Sequence, residues 1–149
     1  MTSSTMKPSM MKYTIETDGA ARGNGKGAAG AGVVIRLDGK IIDKIAKPLG
    51  KSGVTNNEAE YSAVIIGLDT VSKLAQDSKA SVKVVSDSLL LVKQLNGEYA
   101  VKAENLKPLF QKVKSLVKDF EKVEFIHVYR EDNALADSLA NEAADLATE

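Results

Sequence analysis

Four acidic residues stand where they could act together in a folded chain. Asp18 follows a segment that alternates between apolar and polar residues, and Asp87 follows a short apolar run, so each aspartate closes a predicted strand. Glu60 lies about one turn into a predicted helix, and Asp137 lies near the start of the last one. If the two strands are neighbours, Asp18 and Asp87 emerge side by side, and a crossing helix brings Glu60 between them.

Such a cluster of carboxylates predicts a metal site. Adjacent like charges raise one another's pKa, and hard divalent cations relieve the repulsion. Oxygen-only ligation is what Mg²⁺ prefers. Two such ions, roughly 3.5–4 Å apart, are typical of sites that catalyse in-line phosphoryl transfer. Each acid alone is typical of a helix cap or a surface charge, so the combination carries the prediction.

The elements that must position these acids follow from hydrophobic periodicity. Strands are predicted at 13–18, 33–37, 41–49, 82–86 and 123–128, and helices from a cap at Thr55 or Asn56 to 74 and at 88–95, 106–120 and 134–146. A small-residue loop is predicted from Gly19 to Gly32. The order predicts an α/β fold with a mixed five-stranded sheet, three antiparallel strands then parallel strands, and helices on both faces. Residues 1–12 are predicted to be a flexible N-terminal tail and 13–149 one domain.

Composition excludes several classes of protein. The 149 residues contain no cysteine, which excludes disulfides, a thiolate zinc site and a cysteine nucleophile, and which fits a reducing compartment. No stretch approaches the roughly 18 apolar residues of a membrane span, so we expect no membrane partner. Twenty basic side chains balance twenty acidic ones. A net charge of zero by itself argues against a nucleic-acid partner, which usually requires a basic surface.

Three other features have ordinary explanations. Gly25 to Gly30 formally match G-x-G-x-x-G, but a β-rich segment follows where a dinucleotide site needs a helix. His127, the only histidine, is predicted to be a structural strand residue. Ser88 has no histidine near it in the sequence and is predicted to cap a helix rather than to act as a nucleophile.

Four motifs resemble one known family in order and spacing. They are Thr17-Asp18-Gly19-Ala20-Ala21-Arg22-Gly23-Asn24, Thr55-Asn56-Asn57-Glu58-Ala59-Glu60-Tyr61, Ser86-Asp87-Ser88 and Asn133-Ala134-Leu135-Ala136-Asp137. With them, nearly the whole chain beyond the tail resembles type 1 ribonuclease H, in the compact bacterial and archaeal form that lacks the basic protrusion. The resemblance implies a ribonuclease H-like fold and an endonuclease that cleaves the RNA strand of RNA–DNA hybrids, leaving 5′-phosphate and 3′-hydroxyl ends.

The resemblance also assigns the site. It makes Asp18, Glu60, Asp87 and Asp137 the catalytic ligands of two Mg²⁺ ions, with Mn²⁺ as the alternative ion. Gly19, Asn24 and Asn56 fall where the family contacts RNA 2′-hydroxyls, and Thr55 falls where it holds a phosphate of the DNA strand. Asn57 and Ser88 are further substrate-binding candidates. We expect a cytoplasmic monomer whose partner is the hybrid.

Three departures from the family's pattern change these expectations. The histidine-bearing loop before the last helix is missing, which leaves Arg130 or Glu131 as candidates to assist product release. The basic protrusion is absent. Ala103 and Gly53 stand near positions where relatives place phosphate contacts, with Asn105 as the candidate substitute. Fewer phosphate contacts predict modest affinity for the hybrid and a shallow dependence on salt.

Two alternatives stay open at this stage. A resolvase or a 3′→5′ exonuclease also clusters acids on such a sheet, although the Thr55-Asn56-Asn57 and Gly23-Asn24 segments suit hybrid recognition. A catalytically silent hybrid-binding module is the second alternative, against which all four acids are present. Fold alone does not decide among them.

Overall fold

The elements of the computed structural model, which describes residues 11–76 and 80–148, follow the predicted order. The strands are β1 (Lys12–Ala21), β2 (Ala29–Leu37), β3 (Lys40–Gly50), β4 (Ser81–Ser86) and β5 (Lys122–His127). The helices are α1 (Asn56–Ala75), α2 (Leu89–Leu95), α3 (Lys107–Val117) and α4 (Ala134–Ala147), with short 3₁₀ turns at Arg22–Gly25 and Arg130–Asp132. Almost all of the predicted tail, residues 1–12, lies outside the described residues, and β1 begins at its last residue.

The five strands form one mixed sheet in the order β3-β2-β1-β4-β5. β1 pairs antiparallel with β2, and β2 pairs antiparallel with β3. β1 pairs parallel with β4, which pairs parallel with β5. The predicted sheet is therefore confirmed. The carboxyl ends of β1 and β4 meet at one edge, since Thr17 pairs with Ser86.

The predicted loop from Gly19 to Gly32 is wrong at both ends. β1 continues to Ala21 and β2 begins at Ala29, so Asp18 lies inside a strand rather than at its end. The small residues are there because α4 packs directly on β2. A Cβ on Gly32 would lie 2.5 Å from the backbone nitrogen of Ala140, and one on Gly30 would lie 2.6 Å from its carbonyl oxygen. These glycines allow close packing of helix on strand.

The opposite face of the sheet packs on α1 and holds the main core. Gly67 of α1 lies against Ile15 of β1 and Val33 of β2, both fully buried. The Tyr61 hydroxyl donates to Gln94 Oε1 over 2.7 Å, which joins α1 to α2 inside the protein. Helices therefore cover both faces, as predicted. Among the described residues, no helix is long and apolar enough to span a membrane.

Candidate active site

Three carboxylates meet at the shared edge of β1 and β4. Asp18 points from β1 one residue beyond its last pair with β4, and Asp87 directly follows β4. Glu60 reaches them from the second turn of α1. One carboxylate oxygen from each of the three lies within 4.8 Å of the other two. The structure thus brings together three of the four acids named from the sequence in one group.

Gly19 sets the approach of α1 to this edge. A Cβ at Gly19 would lie 2.5 Å from the backbone nitrogen of Glu60 and 2.7 Å from the carbonyl oxygen of Ala59. The Gly19 backbone N–H donates to Asp18 Oδ1 over 2.9 Å and is also hydrogen-bonded to the Glu60 carboxylate. The missing side chain and this N–H together hold two of the acids side by side.

Asp137, the fourth acid, lies next to the group in the first turn of α4. Its side chain is hydrogen-bonded to that of Asp18. This contact is one of the causes that raise the pKa of Asp18. Asp137 therefore adjoins the group of three through Asp18.

The environment raises the pKa of two of these acids far above their usual range. Burial, the hydrogen bond from Asp137 and the charge of Asp87 raise the pKa of Asp18 to about 8. Burial and the charges of Asp18 and Asp87 raise the pKa of Glu60 to about 9. Both shifts have the causes expected of carboxylates crowded in a poorly hydrated site. Without a counter-ion, the cluster keeps protons at neutral pH.

The donor set fits a divalent cation. Glu60 Oε2 and Asp87 Oδ2 are buried and have no hydrogen-bond partner among the described residues. Buried carboxylate oxygens without partners are costly, and a bound cation satisfies them. All the ligand atoms are oxygens, which suits Mg²⁺ or Mn²⁺. Asp18, Glu60 and Asp87 would hold the ion or ions, with Asp137 alongside.

These pKa shifts predict how pH changes the stability of the metal-free protein. Because Asp18 and Glu60 have raised pKa values in the folded state, their contribution is fully present below their unfolded pKa, near 4. This contribution to the free energy of unfolding falls as pH rises towards 8 and 9. The fall is about 1.4 kcal/mol per pH unit for each proton that the folded state keeps and the unfolded state has lost. Bound Mg²⁺ reverses the loss, so it should stabilise the protein more at pH 8.5 than at pH 6.

Urea unfolding at the two pH values, with Mg²⁺ or with a chelator, measures this difference directly. The control is Asp43→Asn, which removes an exposed acid on β3 and should leave the difference unchanged. An equal effect of Mg²⁺ at both pH values in the wild type would contradict the assignment of raised pKa values to the cluster.

The loop before β2 and the start of α1 bring together several substrate-contact candidates. Asn24 Oδ1 accepts the backbone N–H of Asn56 over 2.8 Å, and the Gly53 N–H donates to the Gly25 carbonyl over 2.8 Å. Asn24 has a φ of 48°, a left-handed conformation that asparagine tolerates better than most residues. The Asn24 side chain therefore joins the two loops through its oxygen.

Thr55 and Asn105 are linked through Glu58. Thr55 caps α1 by accepting the Glu58 N–H over 3.2 Å, and the Glu58 carboxylate accepts the Thr55 N–H over 2.8 Å, which completes a capping box. The backbone N–H of Thr55, the Thr55 side chain and a hydrogen bond from Asn105 hold the pKa of Glu58 below its usual value. The structure thus brings Asn105 to the start of α1, next to Glu58.

Removing the Thr55 hydroxyl should separate two roles of this residue. Thr55→Ala loses the cap and should lower the free energy of unfolding by about 1 kcal/mol, whereas Thr55→Ser keeps it. If the hydroxyl also holds a phosphate, Thr55→Ala raises KM for the hybrid and Thr55→Ser does not. Chemical unfolding and steady-state kinetics on both variants test this. An unchanged KM in a folded Thr55→Ala variant would remove Thr55 from the substrate contacts.

The remaining predicted residues have no recorded contact with the three acids. Asn57 is exposed in the first turn of α1. Ser88 caps α2 by accepting the Leu91 N–H over 3.3 Å, as predicted. His127 ends β5 and lies half-buried against the exposed ring of Tyr129, with 6.0 Å between the ring centroids. Arg130 and Glu131 stand in an exposed 3₁₀ turn between β5 and α4.

One residue of the last motif has a contact that the sequence did not predict. Asn133 precedes α4, where asparagine usually caps the helix with its side-chain oxygen. Here its side chain makes no cap, and Nδ2 instead donates to the backbone carbonyl of Thr17 over 2.9 Å. A sequence signal for this bond does not exist, because an asparagine before a helix indicates a cap.

Comparison with known proteins agrees with the fold. A family model described as reverse transcriptase-like matches residues 16–143. The bifunctional protein Rv2228c of Mycobacterium tuberculosis is 37% identical over 141 residues, which cover 93% of this chain and 37% of that protein. Ribonuclease HI of Halobacterium salinarum is 35% identical over 128 residues, which cover 86% of this chain and 62% of that protein.

A solved structure supports the same grouping. LC11-RNase H1, in complex with an RNA/DNA hybrid, shares 39% identity and a TM-score of 0.84, covering 92% of this chain and 99% of that one. The sheet order and the acidic edge define a domain with the ribonuclease H fold. The chain belongs to the ribonuclease H family, in the compact type 1 form found in bacteria and archaea. It spans only 37% of the length of the mycobacterial relative.

Proposed function

We propose that this chain is an active ribonuclease H that hydrolyses the RNA strand of RNA–DNA hybrids with two divalent cations. One observation carries the proposal. Oxygens of Asp18, Glu60 and Asp87 converge within 4.8 Å, and two buried oxygens of that group lack partners. This donor set is suited to divalent cations. The hybrid in the LC11-RNase H1 structure is the substrate class to which we extend the proposal.

In the mechanism we propose, the carboxylates bind the cations and give up protons in doing so. Two Mg²⁺ ions held by these carboxylates would supply activation of a water and stabilisation of the leaving oxygen, and Mn²⁺ is the alternative. Because Asp18 and Glu60 keep protons near neutral pH without a cation, binding must release them. Asp137, next to Asp18, would be a further carboxylate ligand for the cations. The expected products carry 5′-phosphate and 3′-hydroxyl ends.

The proposed substrate contacts lie on the elements that position Glu60. Gly19 and Asn24 come from β1 and the turn after it, and Asn56 and Asn57 from the start of α1. Backbone and amide groups there can read a ribose 2′-hydroxyl, which is how a protein distinguishes RNA from DNA. Thr55, with Asn105 linked to it through Glu58, is proposed to hold a DNA phosphate, and Ser88 stands next to Asp87.

The alternatives differ in what they require of the site. A catalytically silent binding module does not require crowded, partly protonated acids, and burying such acids destabilises the fold. A resolvase or exonuclease would use the same acids, but the hydrogen-bonded Asn24 and Asn56 loops beside Glu60 favour recognition of a hybrid. A monomer in the cytoplasm remains part of the proposal, on the sequence alone.

The test is cleavage of matched substrates of one sequence: an RNA–DNA hybrid, a double-stranded RNA and a single-stranded DNA, each end-labelled, first with Mg²⁺ and then with Mn²⁺. We expect internal cuts in the RNA of the hybrid and products that a kinase labels only after phosphatase treatment, as 5′-phosphate ends require. No cleavage of the hybrid with either ion would refute the proposal. Cutting that starts only from a 3′ end would favour the exonuclease.

A further inference from the structure

Asn133 makes an unusual contact for a residue that begins a helix. It is 1% exposed, and its side chain makes no cap for α4 although its position is that of a cap. Its Nδ2 donates to the carbonyl oxygen of Thr17, and its Oδ1 is buried with no partner among the described residues. An asparagine placed here only to start the helix would use that oxygen. The side chain is instead turned towards β1.

The hydrogen bond from Asn133 to Thr17 links the two chain segments that carry Asp18 and Asp137. Thr17 directly precedes Asp18 in β1, and the backbone N–H of Asp137 donates to the Asn133 carbonyl over 3.1 Å. One residue therefore connects the strand that carries Asp18 with the helical turn that carries Asp137. The side chains of the same two acids are hydrogen-bonded to each other.

Packing also holds the start of α4, because this helix lies closely on Gly30 and Gly32 of β2. Arg22, just after β1, donates to the Asn141 carbonyl over 3.3 Å and pairs with Asp145, both further along α4. A hydrogen bond from a buried amide is directional, so it fixes the start of α4 relative to β1 more precisely than packing does. Asn133 is the described residue whose side chain supplies such a bond to β1 at the start of α4.

We infer that Asn133 is a positioning residue that fixes Asp137 relative to Asp18 and so sets the geometry of the cation site. The inference rests on the proposed assignment of the four acids to cation binding. Asn133 itself touches neither cation nor substrate in this role. It acts through Asp137, as residues behind metal ligands generally do.

The test uses Asn133→Asp, which keeps the size of the side chain but has no N–H to donate, and Asn133→Ala, which removes the side chain without adding charge. We expect kcat on the hybrid to fall about 10- to 100-fold in both, the range seen when residues behind metal ligands are changed. KM for the hybrid should stay within about twofold of the wild type. The rise in melting temperature on adding Mg²⁺ should also shrink, a readout independent of turnover.

Two controls separate positioning from general loss of structure. Asn96→Asp removes a similar bond, from Nδ2 to the Phe125 carbonyl at the end of α2, and Val113→Ala opens the buried core under α3. Both should keep the wild-type kcat below their melting temperatures. Asn133 variants that are folded and match these controls in kcat and in the Mg²⁺ response would overturn the inference. If Asp137→Asn also kept full activity and the full Mg²⁺ response, the assignment of the acids itself would fail.

Discussion

Asp87→Asn should abolish cleavage of the hybrid while leaving the protein folded. The change removes one oxygen ligand and one negative charge from the group that we propose binds the cations. Lewis-acid stabilisation by the bound ions is worth several kcal/mol, so kcat should fall at least about a thousandfold. Circular dichroism and single-turnover cleavage with saturating Mg²⁺ measure the two effects.

The same variant should change stability in a pH-dependent way. At pH 6, Asp18 and Glu60 carry their protons in the metal-free protein, so removing the charge of Asp87 changes little. At pH 9 they are losing those protons, and the metal-free variant should exceed the wild type in stability by about 1 kcal/mol, because a repulsive charge is gone. Asp43→Asn, an exposed acid on β3, is the control and should keep wild-type activity. Near-normal turnover in Asp87→Asn would overturn the cation-site assignment.

Gly19→Ala should damage both the fold and the catalytic geometry. Its Cβ would lie 2.5 Å from the Glu60 backbone nitrogen, so α1 must move away from β1. Overpacking of this kind costs about 1–3 kcal/mol of stability. A displacement of Glu60 by about 1 Å from Asp18 can cost about a hundredfold in kcat. Urea unfolding and hybrid kinetics report the two losses separately.

Gly67→Ala is the matched control for that variant. It also adds a methyl group between α1 and β1, but against the side chains of Ile15 and Val33, away from the acids. It should lower stability while leaving kcat unchanged below the melting temperature. If the two variants lost kcat equally, or if Gly19→Ala kept its full rate, Gly19 would have no special part in placing Glu60.

Much of the fold could be predicted from hydrophobic periodicity and from the positions of the acids in the sequence. Alternation around Tyr13 and Ile15 predicted a strand, and the three- and four-residue spacing after Tyr61 predicted α1. β1 carries Asp18 and α1 carries Glu60. Once β1 and β4 were taken as neighbouring strands, these two acids could be expected to meet near Asp87. The caps at Thr55 and Ser88 followed from residue type and position.

What the sequence did not predict depends on contacts between distant segments. Gly30 and Gly32 have the local signature of a loop, and only the packing of α4 explains them as strand residues. Pairing of β1 with these residues of β2 places Asp18 inside its strand. The amide of Asn133 bonds to Thr17, a residue 116 positions earlier in the chain, which no local pattern indicates. Tertiary contact outweighs local propensity at these positions.

We propose that the acidic edge of β1 and β4 binds divalent cations with which the protein cuts the RNA of a hybrid. The most direct measurement is the single-turnover rate of cleavage of an RNA-labelled hybrid as the Mg²⁺ concentration is raised from zero, for the wild type and Asp87→Asn. We predict no cleavage without the ion, a steep rise with Mg²⁺ in the wild type, and no comparable rise in the variant. Cleavage in the presence of a chelator, or equal Mg²⁺ curves for the two proteins, would contradict it.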